Sequence, residues 1–477
     1  MPPVGQGVKW SACKALFFIV QTEKSMNIQL SDHFTYKKLF RFTLPSIAMM
    51  IFSSIYSVVD GFFVSNFAGK TPFAALNFIM PTLMILGAGG FMFGAGGSAL
   101  VSKTLGEGDR EKANRLFSLF IYFPFALSFL IAALGIVFLP QIADFLGAGA
   151  LKEDCVRYGR IVLLGLPAVT LQTEFQTFFI TAEKPQFGFY MTVAAGVTNI
   201  VLDALLVGLL PRLLSLSLDS PWRLVGAAAA TVFSQCVGGF VPLFYFFRKN
   251  KSLLRLGKTS FYGAELRKGT SNGFSELLNG ISMSLVGILF NYQLMKYAGE
   301  NGVAAYGVIM YVDFVFVAVF LGYATGTAPV IGFHYGAENT DELKNLLKKS
   351  LILMGGAGVC MFGIAEALAV PLARLFAGYD AALLEMTIHG FRYYSFAFLI
   401  AGISIFGSSF FTALNNGAVS AAISFLRTAV FEVASILVLP VFFGIDGVWY
   451  AVIVSRALSL AVTLSFLAVF RKRYQYW

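Results

Sequence analysis

The sequence contains little charge and none of the short motifs that mark common enzymes. Only 13% of its 477 residues are charged, whereas 57% are hydrophobic. A soluble protein of this length needs a far more charged surface. The chain has no HExxH, no GxxxxGK[ST] and no GxSxG, so a metal enzyme, an ATPase and a serine hydrolase lack support. We therefore expect no enzyme, no cofactor and no requirement for an ATPase partner.

Cysteine is scarce as well. The chain has four cysteines, none of them near another in sequence, and no CxxC pair. A disulfide framework or a zinc site is therefore not expected. The net charge of +10 could indicate a nucleic-acid partner, but the basic residues cluster between apolar segments, where they mark membrane topology. We expect the partners to be the lipid bilayer and a small molecule, with no nucleic acid.

Long apolar segments fill most of the chain. Each reaches about 20 residues, which is enough to cross a hydrocarbon core of about 30 Å. We number them spans 1 to 12, in chain order 39–66, 73–104, 115–146, 156–182, 187–210, 224–247, 270–298, 302–333, 346–376, 383–413, 418–443 and 447–470. The sequence therefore predicts an all-α integral membrane protein with twelve transmembrane helices.

Lysine and arginine concentrate in four stretches beside these spans. They are the lead-in to span 1, the loop after span 2, the segment 248–268 and the C-terminal Arg471, Lys472 and Arg473. Twelve spans place all four stretches on one side of the membrane, and basic loops stay in the cytoplasm. Both termini are therefore predicted to be cytoplasmic. The bacterial inner membrane is the expected location, since nothing in the sequence indicates organelle targeting.

The two halves of the sequence repeat. A shift of 230 residues aligns 66–80 with 296–310 without a gap, and it pairs Gly96 with Gly326. The same shift pairs Gly106 with Gly336. Because each half has an even number of spans, both halves cross the membrane in the same direction, and their pseudo-twofold axis runs along the membrane normal. This parallel repeat predicts two pseudo-symmetric six-helix bundles with a cavity between them, which favours a transporter over a duplication with a purely structural role.

The expected organisation has four parts. They are a cytoplasmic N-terminal extension at 1–36, an N-lobe at 37–247, a basic cytoplasmic linker at 248–268 and a C-lobe at 269–477. Residues 1–25 contain only a short apolar patch, whereas Met26 begins an ordinary polar lead-in to span 1. We therefore predict Met26 to be the natural start.

Several short strings occur together in an order and spacing that resemble one known family. They are VVDGFFVSNFAG in span 1, GAGGSALVSKTLGEGDREKA closing span 2, NIVLD in span 5, GAAAAT in span 6, APVIGFHYGAEN closing span 8, and GIDGVWYA opening span 12. On these strings the chain resembles the multidrug and toxic compound extrusion (MATE) family over about 37–472. The resemblance implies a V-shaped cleft and the export of amphipathic, often cationic compounds, driven by inward flow of Na⁺ or H⁺.

Charged side chains inside spans are the first candidates for function, because each costs at least about 2.5 kcal/mol there. Asp60 lies late in span 1, and Asp203 lies in span 5 with Asn199 one turn earlier on the same helical face. Thr231 lies in the Ala-rich part of span 6. Their oxygens are hard ligands that suit Na⁺, and the carboxylates alone suit H⁺.

These four residues, Asp60, Asn199, Asp203 and Thr231, also match what looks like the N-lobe cation site of the MATE family. We therefore expect a coupling site for Na⁺ or H⁺ here, with a possible Na⁺ at Asp60, Asn199 and Asp203 as the only bound metal. A structural role for Asp60, as a cap or a hydrogen-bond partner of neighbouring helices, stays open.

Other ionisable residues lie in further spans. Glu174 in span 4, Glu276 in span 7 and Asp313 in span 8 are candidate cleft or substrate carboxylates. Each also has a structural interpretation: Glu174 in a network inside the N-lobe, Glu276 at the membrane interface, and Asp313 in an ion pair with Arg427. Arg427 and Glu432 in span 11 are a candidate structural ion pair.

Two functions of different kinds remain in competition with the leading hypothesis of a secondary antiporter for drugs or toxic metabolites. The first is a flippase for lipid-linked oligosaccharide or another lipid precursor, from the same wider superfamily. A flippase should have a strongly cationic cleft, whereas the intramembrane charges of the first half are acidic. The second is a channel or a membrane receptor. A channel would need a selectivity ring from several subunits, and nothing in the sequence indicates one. The sequence leaves the substrate and the choice between Na⁺ and H⁺ open.

Overall fold

The computed structural model describes residues 28–68, 70–215, 221–378 and 380–477, and the regular structure in these ranges is entirely helical. The predicted start at Met26, and residues 1–25 before it, lie outside the described residues. Described helices account for all twelve predicted spans, so the predicted all-α membrane fold is confirmed.

The first half forms six spans, of which three are interrupted. In chain order the helices are Tyr36–Phe67 (span 1), Lys70–Gly87 and Gly89–Gly106 (span 2), Arg110–Phe145 (span 3), Lys152–Leu164 and Leu166–Thr181 (span 4), Pro185–Asp203 with the π-helix Ala204–Leu209 and Leu210–Leu213 (span 5), and Pro221–Phe247 (span 6). A 3₁₀ turn, Gly149–Leu151, connects spans 3 and 4.

The second half repeats this pattern. Its helices are Gly263–Gly336 (spans 7 and 8), Thr340–Ala377 (span 9), Ala381–Ser395 and Phe398–Ala413 (span 10), Gly417–Phe425 with the π-helix Leu426–Glu432 and Val433–Phe443 (span 11), and Ile445–Tyr474 (span 12). In the described part of the chain, nine helices are long and apolar enough to cross a membrane, and the pair in span 10, bent by 49°, adds a tenth crossing. The 74-residue helix Gly263–Gly336 counts as two spans, and span 4 is divided at Gly165 into two shorter helices.

A single glycine makes the turn between spans 7 and 8, where we predicted a loop at 299–301. Gly299 has φ 62° and ψ −153°, and the residues on either side are helical. Glycine adopts this backbone conformation readily because it has no Cβ atom. Span 7 also begins earlier than predicted, at Gly263 rather than at residue 270, so the end of the predicted linker is helical. Glu265 in its first turn favours this start, because a carboxylate stabilises the positive end of the helix dipole.

Matching caps begin spans 3 and 9. The Asp109 carboxylate accepts a hydrogen bond from the Lys112 N–H at 2.9 Å, and the Asn339 side-chain oxygen accepts one from the Glu342 N–H at 3.1 Å. Such caps satisfy N–H groups that the helix itself leaves unpaired. The shift of 230 residues aligns Asp109 with Asn339, so the repeat includes the caps at the helix ends.

The two lobes meet where spans 2 and 8 approach the basic loops. A methyl group on Gly106 would lie 2.0 Å from the Phe333 carbonyl oxygen, and one on Gly336 would lie 2.0 Å from the Lys103 carbonyl oxygen. Only glycine permits backbones to approach this closely. The 230-residue shift pairs the residues of one contact with those of the other. The interface therefore has the predicted pseudo-twofold symmetry.

The lobes separate towards the opposite end of the molecule. Contacts of span 2 with the C-lobe come mainly from Gly89–Gly106, the half next to the basic loops, and far fewer come from Lys70–Gly87. The lobes therefore diverge beyond Ala88 and leave a cleft that opens away from the basic loops. This is the arrangement expected for two bundles related by a parallel repeat.

Candidate functional site

Three spans bring the predicted N-lobe residues together. Asp60 of span 1 lies beside Asp203 and Asn199 of span 5. Asn199 is 1% exposed and Asp203 is fully buried. Both oxygens of Asp203 and both amide atoms of Asn199 lack a hydrogen bond of good geometry within the described part of the chain. Buried polar atoms are normally paired by hydrogen bonds. The unpaired atoms of Asp203 and Asn199 are therefore available to bind a ligand.

The two carboxylates lack a positive neighbour among the residues that the structure describes. The ion pairs formed by the described residues include neither Asp60 nor Asp203, and the groups that act on the two carboxylates are each other and Asn199. Two like charges repel strongly when they are buried away from water. A cation bound between them would remove this repulsion and supply the missing partner.

Tyr158 and Thr231 complete the group. The Tyr158 side chain, 1% exposed in span 4, lies near both Asp60 and Asp203 and within reach of the Thr231 hydroxyl. Thr231 donates its own proton to the Ala227 carbonyl at 3.0 Å, which leaves its oxygen lone pairs free to accept. We call Asp60, Tyr158, Asn199, Asp203 and Thr231 the N-lobe site. Tyr158 could not be predicted from the sequence, because the chain has 19 tyrosines and the residue type alone does not distinguish a buried one.

A π-helix begins directly after Asp203. It covers Ala204–Leu209, and its Val207 carbonyl accepts a hydrogen bond from Arg223 Nη1 at 2.9 Å. The same nitrogen donates to the Phe67 carbonyl at 2.8 Å. π-helical turns leave backbone groups without their usual partners and often occur at functional sites. Arg223 therefore connects the ends of spans 1, 5 and 6, the three spans that carry the four predicted residues of the N-lobe site.

Glu174 does not join the N-lobe site. It is fully buried in span 4, both of its carboxylate oxygens lack a hydrogen-bond partner among the described residues, and its backbone packs against Gly94 of span 2. The structure thus places Glu174 inside the N-lobe, between spans 2 and 4, rather than on the wall of the cleft.

The C-lobe contains a cluster of two acids, a tyrosine and an arginine. Glu432 of span 11 lies 4.0 Å from Arg456 of span 12. Asp313 of span 8, 7% exposed, lies near the same arginine and the Tyr394 hydroxyl. We call Asp313, Tyr394, Glu432 and Arg456 the C-lobe cluster. Arg456 was missed in the sequence analysis, although a charge inside an apolar span is the signal that identified Asp60.

The predicted partners of Arg427 are wrong. Its Nη2 donates to the Asn279 side-chain oxygen at 2.9 Å, and the negative charges of Glu276 in span 7 and of Glu432 both act on it without an ion-pair contact. Neither Glu432 nor Asp313 forms an ion pair with Arg427 among the described residues. The physical reason is that span 12 inserts Arg456 beside both acids, and this neighbour cannot be read from the sequence of span 11. Glu276 is half-buried beside Arg427.

A family assignment agrees with this architecture. The sequence model of the MatE family matches residues 45–205 and 277–438, one segment in each lobe. The second match begins 232 residues after the first, close to the 230-residue shift of the repeat. The two matches cover more than half of the chain. The chain therefore belongs to the MatE family of multi-pass membrane transporters, which are not enzymes.

Individual relatives extend over nearly the whole chain. The multidrug export protein MepA of Staphylococcus haemolyticus (strain JCSC1435) is 25% identical over 438 residues, which are 91% of this chain and 92% of the relative. MepA of Staphylococcus aureus (strain NCTC 8325 / PS 47) is 23% identical over 442 residues, 92% of this chain and 94% of the relative. The solved structure "Crystal structure of MATE in complex with MaL6" has a TM-score of 0.86 at 21% identity and covers 94% of this chain and 99% of that one. The predicted resemblance and the predicted fold are both confirmed.

Proposed function

We propose that this transporter is a secondary active antiporter that exports amphipathic, cationic small molecules in exchange for Na⁺ or H⁺. The observation that carries the proposal is the buried pair Asp60 and Asp203 without a described basic partner. Either cation would relieve the repulsion between the two carboxylates. Asn199, Thr231 and Tyr158 supply further oxygen atoms around the pair, and oxygen atoms are the ligands that hard cations prefer.

The conformation supports an exchange cycle. The basic loops identify the closed end of the cleft as the cytoplasmic end, because positive residues stay in the cytoplasm. The cleft then faces outwards, and a cation from outside reaches the N-lobe site. Inward movement of one charge releases about 2.3 kcal/mol per 100 mV of membrane potential. Both termini are cytoplasmic in this arrangement, and the location is a bacterial inner membrane.

The choice of substrate rests on the relatives and on the charge of the lobes. MepA is a multidrug export protein, and we extend this activity to the present chain. Apolar walls with few carboxylates suit bulky cations. The half-buried Glu276 is the C-lobe carboxylate that we assign to substrate contact.

A flippase for anionic lipid precursors fits less well. Such a substrate needs arginines that are free to bind phosphate or sugar acids. Among the described residues of the C-lobe spans, Arg456 lies beside Glu432, and the buried Arg427 donates to Asn279 beside Glu276. Both positive charges therefore already have acidic neighbours.

Transport in proteoliposomes tests the proposal. Wild type, Asp60→Asn and Asp144→Asn are compared for movement of ethidium under an imposed Na⁺ or H⁺ gradient. Asp144 is an exposed control that pairs with Lys152 at 2.7 Å and does not belong to the N-lobe site. We expect one gradient to drive ethidium transport by wild type and Asp144→Asn but not by Asp60→Asn. Ethidium transport by Asp60→Asn at the wild-type rate would contradict the coupling role of the N-lobe site, and no transport by any variant under either gradient would contradict cation-coupled export.

A further inference from the structure

The short segment before span 1 bridges the two lobes at the closed end of the cleft. Residues 28–35 precede the first helix, and within them Leu30 and Phe34 are fully buried. Such complete burial is unusual for a chain segment outside a helix, because connecting segments commonly run over the surface. We call residues 28–35 the lead-in segment.

One side of the lead-in segment is held by the N-lobe. The Leu30 N–H donates to the Glu183 carboxylate at 2.6 Å. Glu183 lies in the turn between spans 4 and 5 of the N-lobe. A hydrogen bond from an amide to a charged carboxylate is stronger than one between neutral groups.

The other side is held by span 9 of the C-lobe. Glu342 accepts from the Phe34 N–H at 2.9 Å and pairs with His33 Nδ1 at 2.6 Å. The Phe34 carbonyl accepts from Lys349 Nζ at 2.6 Å and from the Asn345 side chain at 3.0 Å. Both polar backbone atoms of Phe34 are therefore bound by the C-lobe, although Phe34 immediately precedes span 1 of the N-lobe.

We propose that the lead-in segment is a latch that stabilises the conformation in which the cytoplasmic end is closed. The chain runs from Glu183 of the N-lobe, over Glu342 of the C-lobe, and back into span 1 of the N-lobe. The lobes cannot separate at this end while these contacts hold, so the latch must release before the cleft opens to the cytoplasm. The inference goes beyond the proposed exchange function, because it holds for any substrate and any coupling ion.

The two anchors are not equivalent in this arrangement. Glu342 connects the lobes directly, since it binds residues attached to span 1. Glu183 connects them only as long as Glu342, assisted by Asn345 and Lys349, keeps the segment on the C-lobe. Loss of Glu342 should therefore have the larger effect, and further loss of Glu183 should then add little.

Distance measurements between two spin labels test the latch without any transport assay. Labels are attached at Lys251→Cys in the linker and Lys344→Cys in span 9, both exposed positions, in a full-length chain whose four native cysteines are replaced by serine. The chain is reconstituted in nanodiscs, and double electron–electron resonance records the distance distribution. Glu342→Ala, Glu183→Ala and the double variant are compared with Glu111→Ala. Glu111 is an exposed control that pairs with Arg115 in its own helix.

We expect Glu342→Ala to raise the long-distance population about tenfold, as the loss of hydrogen bonds to a charged group predicts, and Glu183→Ala to raise it less. The double variant should match Glu342→Ala, and Glu111→Ala should match the protein without these changes. Distributions that are identical in all variants would overturn the latch, and so would fully additive effects of the two anchors. Glu342→Gln, which keeps the size of the side chain and weakens its hydrogen bonds, should give an intermediate population and so guards against misfolding of the alanine variant.

Discussion

The N-lobe and the C-lobe share a fold but differ in the neighbours of their buried acids. In the N-lobe, Asp60 and Asp203 face each other without a described basic partner. In the C-lobe, Glu432 and Asp313 lie beside Arg456. A buried acid with an arginine neighbour is already compensated, whereas an acidic pair without one gains from binding a cation. The repeat therefore determines the shared fold of the two lobes, whereas a few side chains determine which lobe can bind a coupling ion.

One position accounts for much of this difference. The last spans of the two lobes share the pattern Gly-x-x-x-Ala-x-x-x-Ser, at Gly226 in span 6 and at Gly447 in span 12. The next residue is Gln235 in the N-lobe and Arg456 in the C-lobe. The side-chain oxygen of Gln235 is buried and lacks a hydrogen-bond partner within the described ranges. A neutral amide thus stands in the N-lobe where the C-lobe has its counter-charge.

The first prediction, with the largest expected change in transport, distinguishes the functions of the two lobes. Asp203→Asn should reduce ion-coupled transport to background, because the neutral side chain no longer needs a cation. Glu432→Gln should leave ion coupling in place, because its charge is already paired in the wild type. The measurement is ethidium transport in proteoliposomes under the effective gradient. Loss of coupling in Glu432→Gln together with normal coupling in Asp203→Asn would reverse the assignment of the lobes.

The second prediction converts the C-lobe cluster into an N-lobe-like site. Arg456→Gln leaves Glu432 and Asp313 buried without a counter-charge, which costs on the order of 3 kcal/mol. We expect a lower melting temperature in detergent, and partial recovery when Na⁺ or a low pH supplies a cation to the acids.

The double variant Arg456→Gln/Glu432→Gln is the control for this prediction, since it removes both members of the pair. It should melt at a higher temperature than Arg456→Gln alone. If the single variant melts like the wild type and does not respond to Na⁺ or pH, Arg456 does not compensate the two acids.

Sequence reasoning found the N-lobe acids for a physical reason. Charges stand out in apolar spans, and the four-residue spacing of Asn199 and Asp203 fixes their common face. It could not find Tyr158, which approaches the site only because its part of span 4 packs against span 6, the span that carries Thr231. It assigned wrong partners to Arg427 for the same reason, since pairing across spans depends on packing that a single span does not encode. Arg456 carried the same signal as Asp60, and only its place in the repeat would have identified its role.

Substitutions on the two sides of the interface between the lobes should have equal effects. Substitutions in the N-lobe site and the C-lobe cluster, by contrast, should have different effects. Gly106→Ala and Gly336→Ala each place a methyl group 2.0 Å from a carbonyl oxygen of the opposite lobe. Relief of such overlap costs about 1–3 kcal/mol. Both variants should therefore destabilise the closed end of the cleft by similar amounts, seen as a larger long-distance population between labels at Lys251→Cys and Lys344→Cys.

Gly355→Ala is a suitable control for the interface, because no atom lies within 4 Å of its added methyl group. It should leave the distance distribution unchanged. A strong effect from only one of Gly106→Ala and Gly336→Ala would show that the interface does not act symmetrically.

The smallest expected effect concerns the tyrosine of each site. Tyr158→Phe removes one hydroxyl from the N-lobe site but keeps the ring, and one hydrogen bond contributes about 1 kcal/mol. The concentration of Na⁺ or H⁺ that half-saturates transport should therefore rise roughly fivefold, with little change in the maximal rate. Tyr394→Phe is the matched C-lobe variant, since Tyr394 stands beside Asp313 as Tyr158 stands beside Asp60 and Asp203. It should leave the half-saturating ion concentration unchanged, because its site is compensated by Arg456. Equal shifts in both variants would mean that the two lobes bind the coupling ion alike, and the contrast between an acidic N-lobe site and a compensated C-lobe cluster would no longer explain coupling.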